Sequence, residues 1–161
     1  MNKFDFSVII PTFNRALALD RCLSFLVQQT FTNFEVLVCD DGSNDDTKDV
    51  VNKYEQILNL RYFYSENWGG PARPRNVGLK NARSEWVCFL DSDDFYLPTK
   101  LEAVFTSDLN SSDFIYHDLK VLQNDEVKGI IRARKLSVGN PFEDLLFNLN
   151  AIPTSSVCAR K

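Results

Sequence analysis

Histidine is almost absent from this chain: of its 161 residues only His117 carries an imidazole. One histidine with no serine or cysteine partner placed for it supports neither a Ser/His/Asp triad nor a multi-histidine metal centre. His117 is therefore read as structural. Cysteine is sparse too. Cys22, Cys39, Cys88 and Cys158 form no Cys-x-x-Cys pair, which removes zinc-ribbon and dithiol redox chemistry. Cys39 and Cys88 sit in apolar strand-like runs, and Cys22 falls on an apolar helix face. Small buried hydrophobes account for all three, and a reducing cytoplasm fits better than a disulfide framework. The six glycines make no Gly-x-Gly-x-x-Gly, and no Gly-Lys-Ser/Thr follows any of them, so dinucleotide and P-loop fingerprints are missing. No apolar run approaches the roughly 18 residues of a membrane span, and no signal peptide is read at the start. Positive charge is not in excess: 18 Lys and Arg face 22 Asp and Glu, for a net charge of -4. Bulk attraction to nucleic acid or anionic lipid is not expected. The one dense basic stretch, Ile131-Arg132-Ala133-Arg134-Lys135, reads as a solvated face. Internal repeats, linkers and low-complexity segments are lacking as well.

What remains is an ordinary globular composition of a size that fits one domain. Such a domain buries roughly 70% of its unfolded surface and needs no staples. Strand and helix signals alternate. Phe6 to Ile10 is an apolar run stopped by Pro11. Leu19, Cys22, Leu23 and Leu26 then fall on one helix face. Phe34 to Cys39 is a second strand. Ser43 suits a helix N-cap, and Val50, Val51, Tyr54 and Leu58 make the stripe that follows it. Leu60 to Tyr64 is a third strand. A Gly/Pro-rich loop from Asn67 to Pro74 leads into a short helix to about Ala82. Trp86 to Leu90 is the fourth strand, and Pro98 suits the first turn of a helix carrying Leu101, Val104 and Phe105. Strands alternating with helices at this spacing predict an α/β fold with a mostly parallel sheet flanked by helices. After residue 110, Phe114 to Leu122 and Val127 to Arg132 are expected to pair around Gln123–Glu126, and Phe142 to Leu149 to form a short helix. Thr154 to Lys161 reads as a strand approaching its end, so the chain is expected to be a truncated piece of a longer protein.

The polar residues collect at strand carboxyl ends. Strand one ends in Pro11-Thr12-Phe13-Asn14-Arg15, strand two in Asp40-Asp41-Gly42-Ser43, and strand four in Asp91-Ser92-Asp93-Asp94. Open α/β sheets bind ligands at that edge. If strands one and four are neighbours, the three clusters share one crevice. Carboxylates crowded at a strand end repel one another unless a cation or hydrogen-bonding ligand offsets them. An Asp-x-Asp pair is the hard-oxygen set suited to Mg²⁺ or Mn²⁺ bound together with a diphosphate. In the loop Asn67–Asn76, glycines permit close backbone approach, and Arg73 and Arg75 can meet phosphate. Each cluster also has a plainer reading. Asp-Gly-Ser makes turns and caps, and a Gly/Pro loop can be only a loop. Their coincidence at one sheet edge favours a ligand site.

Five blocks occurring in order over about residues 6–105 resemble family 2 glycosyltransferases. They are Val8-Ile9-Ile10-Pro11-Thr12-Phe13-Asn14-Arg15, Asp40-Asp41-Gly42-Ser43-Asn44-Asp45-Asp46-Thr47, Arg75-Asn76-Val77-Gly78-Leu79, Phe89-Leu90-Asp91-Ser92-Asp93-Asp94 and Pro98-Thr99-Lys100-Leu101-Glu102. The resemblance implies a GT-A fold, here a single domain over 1–161. Residues to about 110 would form the nucleotide-sugar half, and about 111–161 the start of the acceptor half. It implies transfer from a nucleoside-diphosphate sugar, with UDP favoured, to a glycan or lipid-linked acceptor, usually with inversion. By position, Pro11, Thr12, Asn14 and Arg15 would line the nucleotide pocket. Asp41 would meet the base, Asp91 with Ser92 the ribose side, and Asp93 the divalent metal, while Arg75 approaches the phosphates. Arg73-Pro74 departs from the family's usual run from Ala into Arg-Asn. The implied location is the cytoplasm, including the inner face of its membrane.

A divalent ion offsets charge growing on a diphosphate leaving group, and inversion needs a base for the acceptor hydroxyl. The family's base lies well beyond the Asp-x-Asp and is expected past Lys161. Two alternatives stand beside this reading. A nucleotide-sugar-binding module without turnover fits a fragment that lacks the base. A nucleotidyltransferase would show a Gly-rich basic loop after strand one, where this chain has Thr12-Phe13-Asn14-Arg15.

Overall fold

A computed structural model describes residues 4–107, 109–124, 126–135 and 152–161. The expected helix over Phe142–Leu149 lies outside the described residues. Elements follow in the order β1 (Phe6–Thr12), α1 (Ala16–Val27), β2 (Phe34–Asp40), α2 (Thr47–Tyr54), β3 (Leu60–Tyr64), α3 (Ala72–Asn81), β4 (Trp86–Phe89) and α4 (Lys100–Phe105). Then come β5 (Phe114–Ile115), β6 (Leu119–Gln123), β7 (Glu126–Ile131), a 3-10 turn at Thr154–Ser156 and β8 (Cys158–Arg160).

Six strands form one sheet in the order β3-β2-β1-β4-β8-β5. The β1–β2, β2–β3 and β1–β4 pairs are parallel, and β8 runs antiparallel to β4 and β5. Strands one and four are therefore neighbours. The chain winds outward from β1 to β3, then returns to lay β4 on the other side of β1. Order reverses between β1 and β4, and such a switch point opens a crevice at the carboxyl ends. Both faces of the sheet are covered, which is why β1 and β2 are buried along their whole length. Phe6, Val8, Ile10, Val36, Val38 and Cys88 pack with Leu19, Leu23, Leu26 and Leu101 on one face. Ile9, Leu37, Cys39 and Val87 pack with Val77 and Ala82 on the other. Helix α3 lies so close to β1 that a Cβ at Gly78 would overlap Ile9 Cγ2.

Several sequence expectations change here. Pro11 does not stop β1; it pairs with Cys39 inside the strand. The Leu90 N–H donates to the Ile9 carbonyl, so odd residues of β1 face β4, whose pairing with β1 ends at Phe89. The N–H that Pro11 lacks would therefore have pointed where no ladder remains. Ser43 does not cap α2. It bonds Asp40 instead, while Asp45 Oδ1 accepts the Thr47 N–H at 3.1 Å. The run Phe114–Leu122 divides, with β5 joining the main sheet and β6 pairing with β7 as a separate hairpin.

The expectation of unpaired cysteines is also corrected. Cys88 and Cys158 sit opposite each other across the β4–β8 pair, Cα–Cα 4.1 Å, and are joined as a disulfide. Neither the pairing nor its register can be read from Cys spacing, because 70 residues separate the two. Cys22 and Cys39 are free and buried.

Candidate functional site

The loops that follow β1, β2 and β4 and the loop that precedes α3 enclose a cavity of about 500 Å³ at the switch point. From β1 come Pro11, Thr12, Phe13 and Arg15; from β2, Asp41; from β4, Asp91, Ser92 and Asp93. Asn67, Gly69, Gly70, Pro71, Pro74 and Arg75 close the remaining side. Eight of the nine residues singled out by the sequence thus meet in one place. Asn14 is the ninth. It adopts φ 48, its N–H donates to Ser43 Oγ at 2.8 Å and its Oδ1 accepts the Asn44 N–H at 2.8 Å. Asn14 stitches two loops together and does not line the cavity. The sequence marked the stretch from Asn67 as ligand-approaching and named Arg73 and Arg75 from it for phosphate; Arg75 lines the cavity and Arg73 does not. Phe13, Asn67, Gly69 and Gly70 are additional lining residues, identifiable only once the loops are closed over one another.

The acidic residues are all engaged. Arg75 Nη2 donates to Asp91 Oδ1 at 2.5 Å, and Arg15 forms an ion pair with Asp93. The turn carrying Asp91 is fixed from beneath, because its N–H donates to Ser155 Oγ at 3.0 Å. Burial raises the pKa of the Asp94 carboxyl from its ordinary value; the Ser155 hydrogen bond opposes this, and Asp93 and Asp91 add to it. Asp41 is 3% exposed. Its carboxylate accepts backbone N–H bonds from Trp68 at 3.1 and 3.2 Å, Gly69 at 3.1 Å and Gly70 at 3.4 Å. Oδ1 takes part only in the bond shared from Trp68, so it keeps lone-pair capacity toward the cavity. The turn before this loop needs Gly42, at φ +88, where a Cβ would meet the Asn67 nitrogen at 2.7 Å. Two residues that line the cavity each carry a buried polar atom without a partner, Thr12 Oγ1 and Arg75 Nε. Buried polar atoms are rarely left so.

Among the described residues no group of three or more His, Cys, Asp or Glu side chains is gathered to hold a metal. The residues nevertheless fit a metal carried in with a diphosphate. Mg²⁺ in particular takes one or two carboxylates and completes its shell with phosphate oxygens and water. Asp93, half-exposed and on the cavity wall, supplies such a carboxylate. His117 lies between β5 and β6 with Nδ1 2.7 Å from the Asp118 carbonyl, and it does not line the cavity.

A crevice lined by carboxylates and arginines thus opens at the switch point of a mostly parallel sheet. Residues 7–110 match the glycosyl transferase family 2 model, and the chain belongs to that family. It is 50% identical over 93 residues to the poly(ribitol-phosphate) beta-N-acetylglucosaminyltransferase TarS of Staphylococcus aureus, covering 56% of this chain and 16% of TarS. It is 32% identical over 130 residues to the UDP-Glc:alpha-D-GlcNAc-diphosphoundecaprenol beta-1,3-glucosyltransferase WfgD of Escherichia coli, covering 80% of this chain and 51% of WfgD. The crystal structure of TarS 1-349 with UDP superposes with a TM-score of 0.70 at 40% identity, over 78% of this chain and 38% of that one. The Pyrobaculum calidifontis mannosyltransferase PcManGT, in complex with GDP-Man and Mn²⁺, superposes with a TM-score of 0.65 at 25% identity, over 73% and 36%. The fold is of the GT-A type. The chain spans about a sixth of TarS and about half of WfgD.

Proposed function

We propose that this chain binds a nucleoside-diphosphate sugar and forms the donor part of a glycosyltransferase that builds a phosphate-bearing or lipid-linked glycan. The carrying observation is the cavity itself: two Arg–Asp pairs, drawn from the ends of β1 and β4 and from α3, meet in it. UDP is the favoured carrier, supported by the UDP in the TarS complex and in the name of WfgD. Pro11 and Thr12 line the base and ribose end, Asp41 offers Oδ1 to a base N–H, and Asp91 with Ser92 faces the ribose. In the ligand-free chain Arg15 and Arg75 neutralise Asp93 and Asp91. A diphosphate gives both guanidiniums a better-matched anion, since arginine binds phosphate oxygens through a rigid fork of donors. Their release frees Asp93 to hold Mn²⁺ or Mg²⁺. A divalent ion bound there supplies positive charge against the leaving diphosphate. Transfer is inverting in this reading. The base for the acceptor hydroxyl is assigned to another part of the protein, because in this reading Asp41 holds the loop from Trp68 and the base, Asp91 the ribose and Asp93 the metal.

That last point favours a second reading for the chain by itself: donor binding without turnover. The acceptors in the names of TarS and WfgD, poly(ribitol-phosphate) and a diphosphoundecaprenol-linked sugar, support a phosphate-bearing acceptor. A lipid-linked acceptor would place the work at the cytoplasmic face of a membrane. No helix among the described residues is long and apolar enough to cross one. Calorimetric titration with UDP, GDP, CDP and dTDP, each with Mn²⁺ and with EDTA, tests the proposal. The expected result is metal-enhanced binding of one diphosphate, UDP foremost. Binding of none of them would sink the donor-site reading.

A further inference from the structure

The loop ahead of α3 is anchored far more firmly than a connector requires. Asn67 Nδ2 donates to the Asp41 carbonyl at 2.9 Å, and the N–H groups of Trp68, Gly69 and Gly70 all converge on the Asp41 carboxylate. Four successive residues are thus tied to one buried aspartate. The side chain this anchoring presents is an indole with 71% of its surface exposed, Trp68. Arg73 places its guanidinium carbon 4.4 Å from the centre of that ring. The Arg73 guanidinium has no hydrogen bond or ion pair among the described residues, unlike Arg15, Arg61, Arg75 and Arg160. Asn67, Gly69 and Gly70 line the donor cavity, but Trp68 and Arg73 do not. The pair therefore belongs to the same anchored segment as three lining residues but is not itself part of the cavity lining.

We propose that Trp68 and Arg73 form an acceptor subsite that holds a phosphate-bearing sugar or polyol at the rim of the donor crevice; this rests on the donor reading above. The indole offers a rigid apolar face to the carbon-bound hydrogens of a sugar or polyol. The guanidinium, held 4.4 Å from the ring centre and free of other anions, presents its donors to a phosphate two or three bonds away. Trp and Arg are also the residues that most often dominate the energy of recognition sites. The same anchoring by Asp41 ties this subsite to the donor cavity, so donor and acceptor are registered against one carboxylate. A sugar phosphate from a lipid-linked glycan and a polyol phosphate from a polymer share this chemistry.

The test follows the emission of Trp68 on the whole chain, with and without UDP and Mn²⁺. Trp86, 6% exposed, serves as the internal reference that should not respond. The probes are ribitol 5-phosphate, N-acetylglucosamine 1-phosphate and their unphosphorylated parents. The expected result is quenching at about tenfold lower concentration for a phosphorylated probe than for its parent, the size of one hydrogen bond to a charged group. Whichever phosphate quenches first identifies the polymer-like or the lipid-linked-type source. Arg73→Gln is expected to erase the phosphate preference, and Trp68→Ala to abolish binding followed by calorimetry, while both keep wild-type UDP affinity. Equal quenching by phosphate and parent, or an unchanged preference in Arg73→Gln, overturns the subsite. A loss of UDP affinity in either variant assigns the pair to the donor and overturns it equally. Failure of wild type to bind any of the four diphosphates sinks the donor reading, and the titrations without nucleotide still score the subsite.

Discussion

At the scale of single residues, the cavity is a set of charges waiting to change partners. Asp93 and Arg15 are each about half exposed, so their pair contributes little to folding. Asp93→Asn is therefore expected to leave thermal stability within about 0.5 kcal/mol while abolishing the Mn²⁺ enhancement of UDP binding. It also frees Arg15, so metal-free UDP affinity should not fall. A Mn²⁺ effect of wild-type size in that variant would remove Asp93 from the metal. Asp41→Ala is a different case, because it strips the anchor from Trp68, Gly69 and Gly70 together with any bond to the base. UDP binding is expected to weaken by about 1–3 kcal/mol. Time-resolved anisotropy of Trp68 should show a freer indole, and an indole as rigid as in wild type would contradict the anchoring role. The sequence made Asp91, Asp93 and Arg75 legible, because crowded charge at a strand end is a local pattern. The anchoring by Asp41 was not legible. It depends on donors 27–29 residues away that meet it only after β2 and α3 are in place.

At the scale of elements, continuous apolar runs located β1, β2 and β4, of which β1 and β2 are buried along their whole length, and one-sided apolar stripes located α1, α2 and α4. β5 and β8, which have two and three residues, were placed only within longer runs, Phe114–Leu122 and Thr154–Lys161. Strands so short carry no period, and their place in the sheet is set by partners: β8 is held between β4 and β5. The Cys88–Cys158 link was missed for the same reason. Pro11 misled in the other direction, since a proline is compatible with a strand whose neighbour has already ended. Helix α3 carries a cost as well as a function. Its first turn has Arg73 and Arg75 and no acidic residue, against the preference of a helix N-terminus for negative charge. What holds it on the sheet is the close approach at Gly78. Gly78→Ala drives a methyl into Ile9 and is expected to cost about 1–3 kcal/mol, outweighing any gain in helix propensity. Urea unfolding measures it; an unchanged or raised midpoint would mean that α3 can shift without loss.

At the scale of the whole molecule, the two ends of the sheet are built for opposite purposes. At the carboxyl ends polar groups wait for a ligand. At the amino ends Glu35, 1% exposed, is fully enclosed by Ser7 Oγ at 2.7 Å, Arg61 Nη2 at 2.9 Å and the Arg83 N–H at 2.7 Å. Arg61→Ala strands that carboxylate and is expected to cost about 3 kcal/mol, a large share of a marginal total, while sparing UDP affinity at the far edge. Lys100, at the start of α4, supplies a global pH signature. Its side chain is partly buried, with the ammonium 3.3 Å from Cys158 Sγ, and burial pushes its pKa down to about 8. Below that value it is charged in both folded and unfolded chains, and the folded state bears the burial cost. Above it the folded chain loses the proton while the unfolded chain keeps it, so stability rises with pH. The buried thiols act in the opposite sense. Cys39 is pushed up to about 12, and Cys22 higher still, chiefly by burial. Once the unfolded chain's thiols ionise, at about pH 9, further alkalinity favours unfolding. Lys100 alone would add about 1 kcal/mol between pH 8 and 9, and the two thiols take back roughly 0.7 kcal/mol of it, so the net expectation is a nearly level course to pH 9, then a decline. Lys100→Met keeps the apolar stem without the charge. It should be more stable than wild type at pH 7 and lose stability between pH 8 and 9; a urea midpoint in Lys100→Met that stays level with pH over that range, as in wild type, would assign the effect to another group.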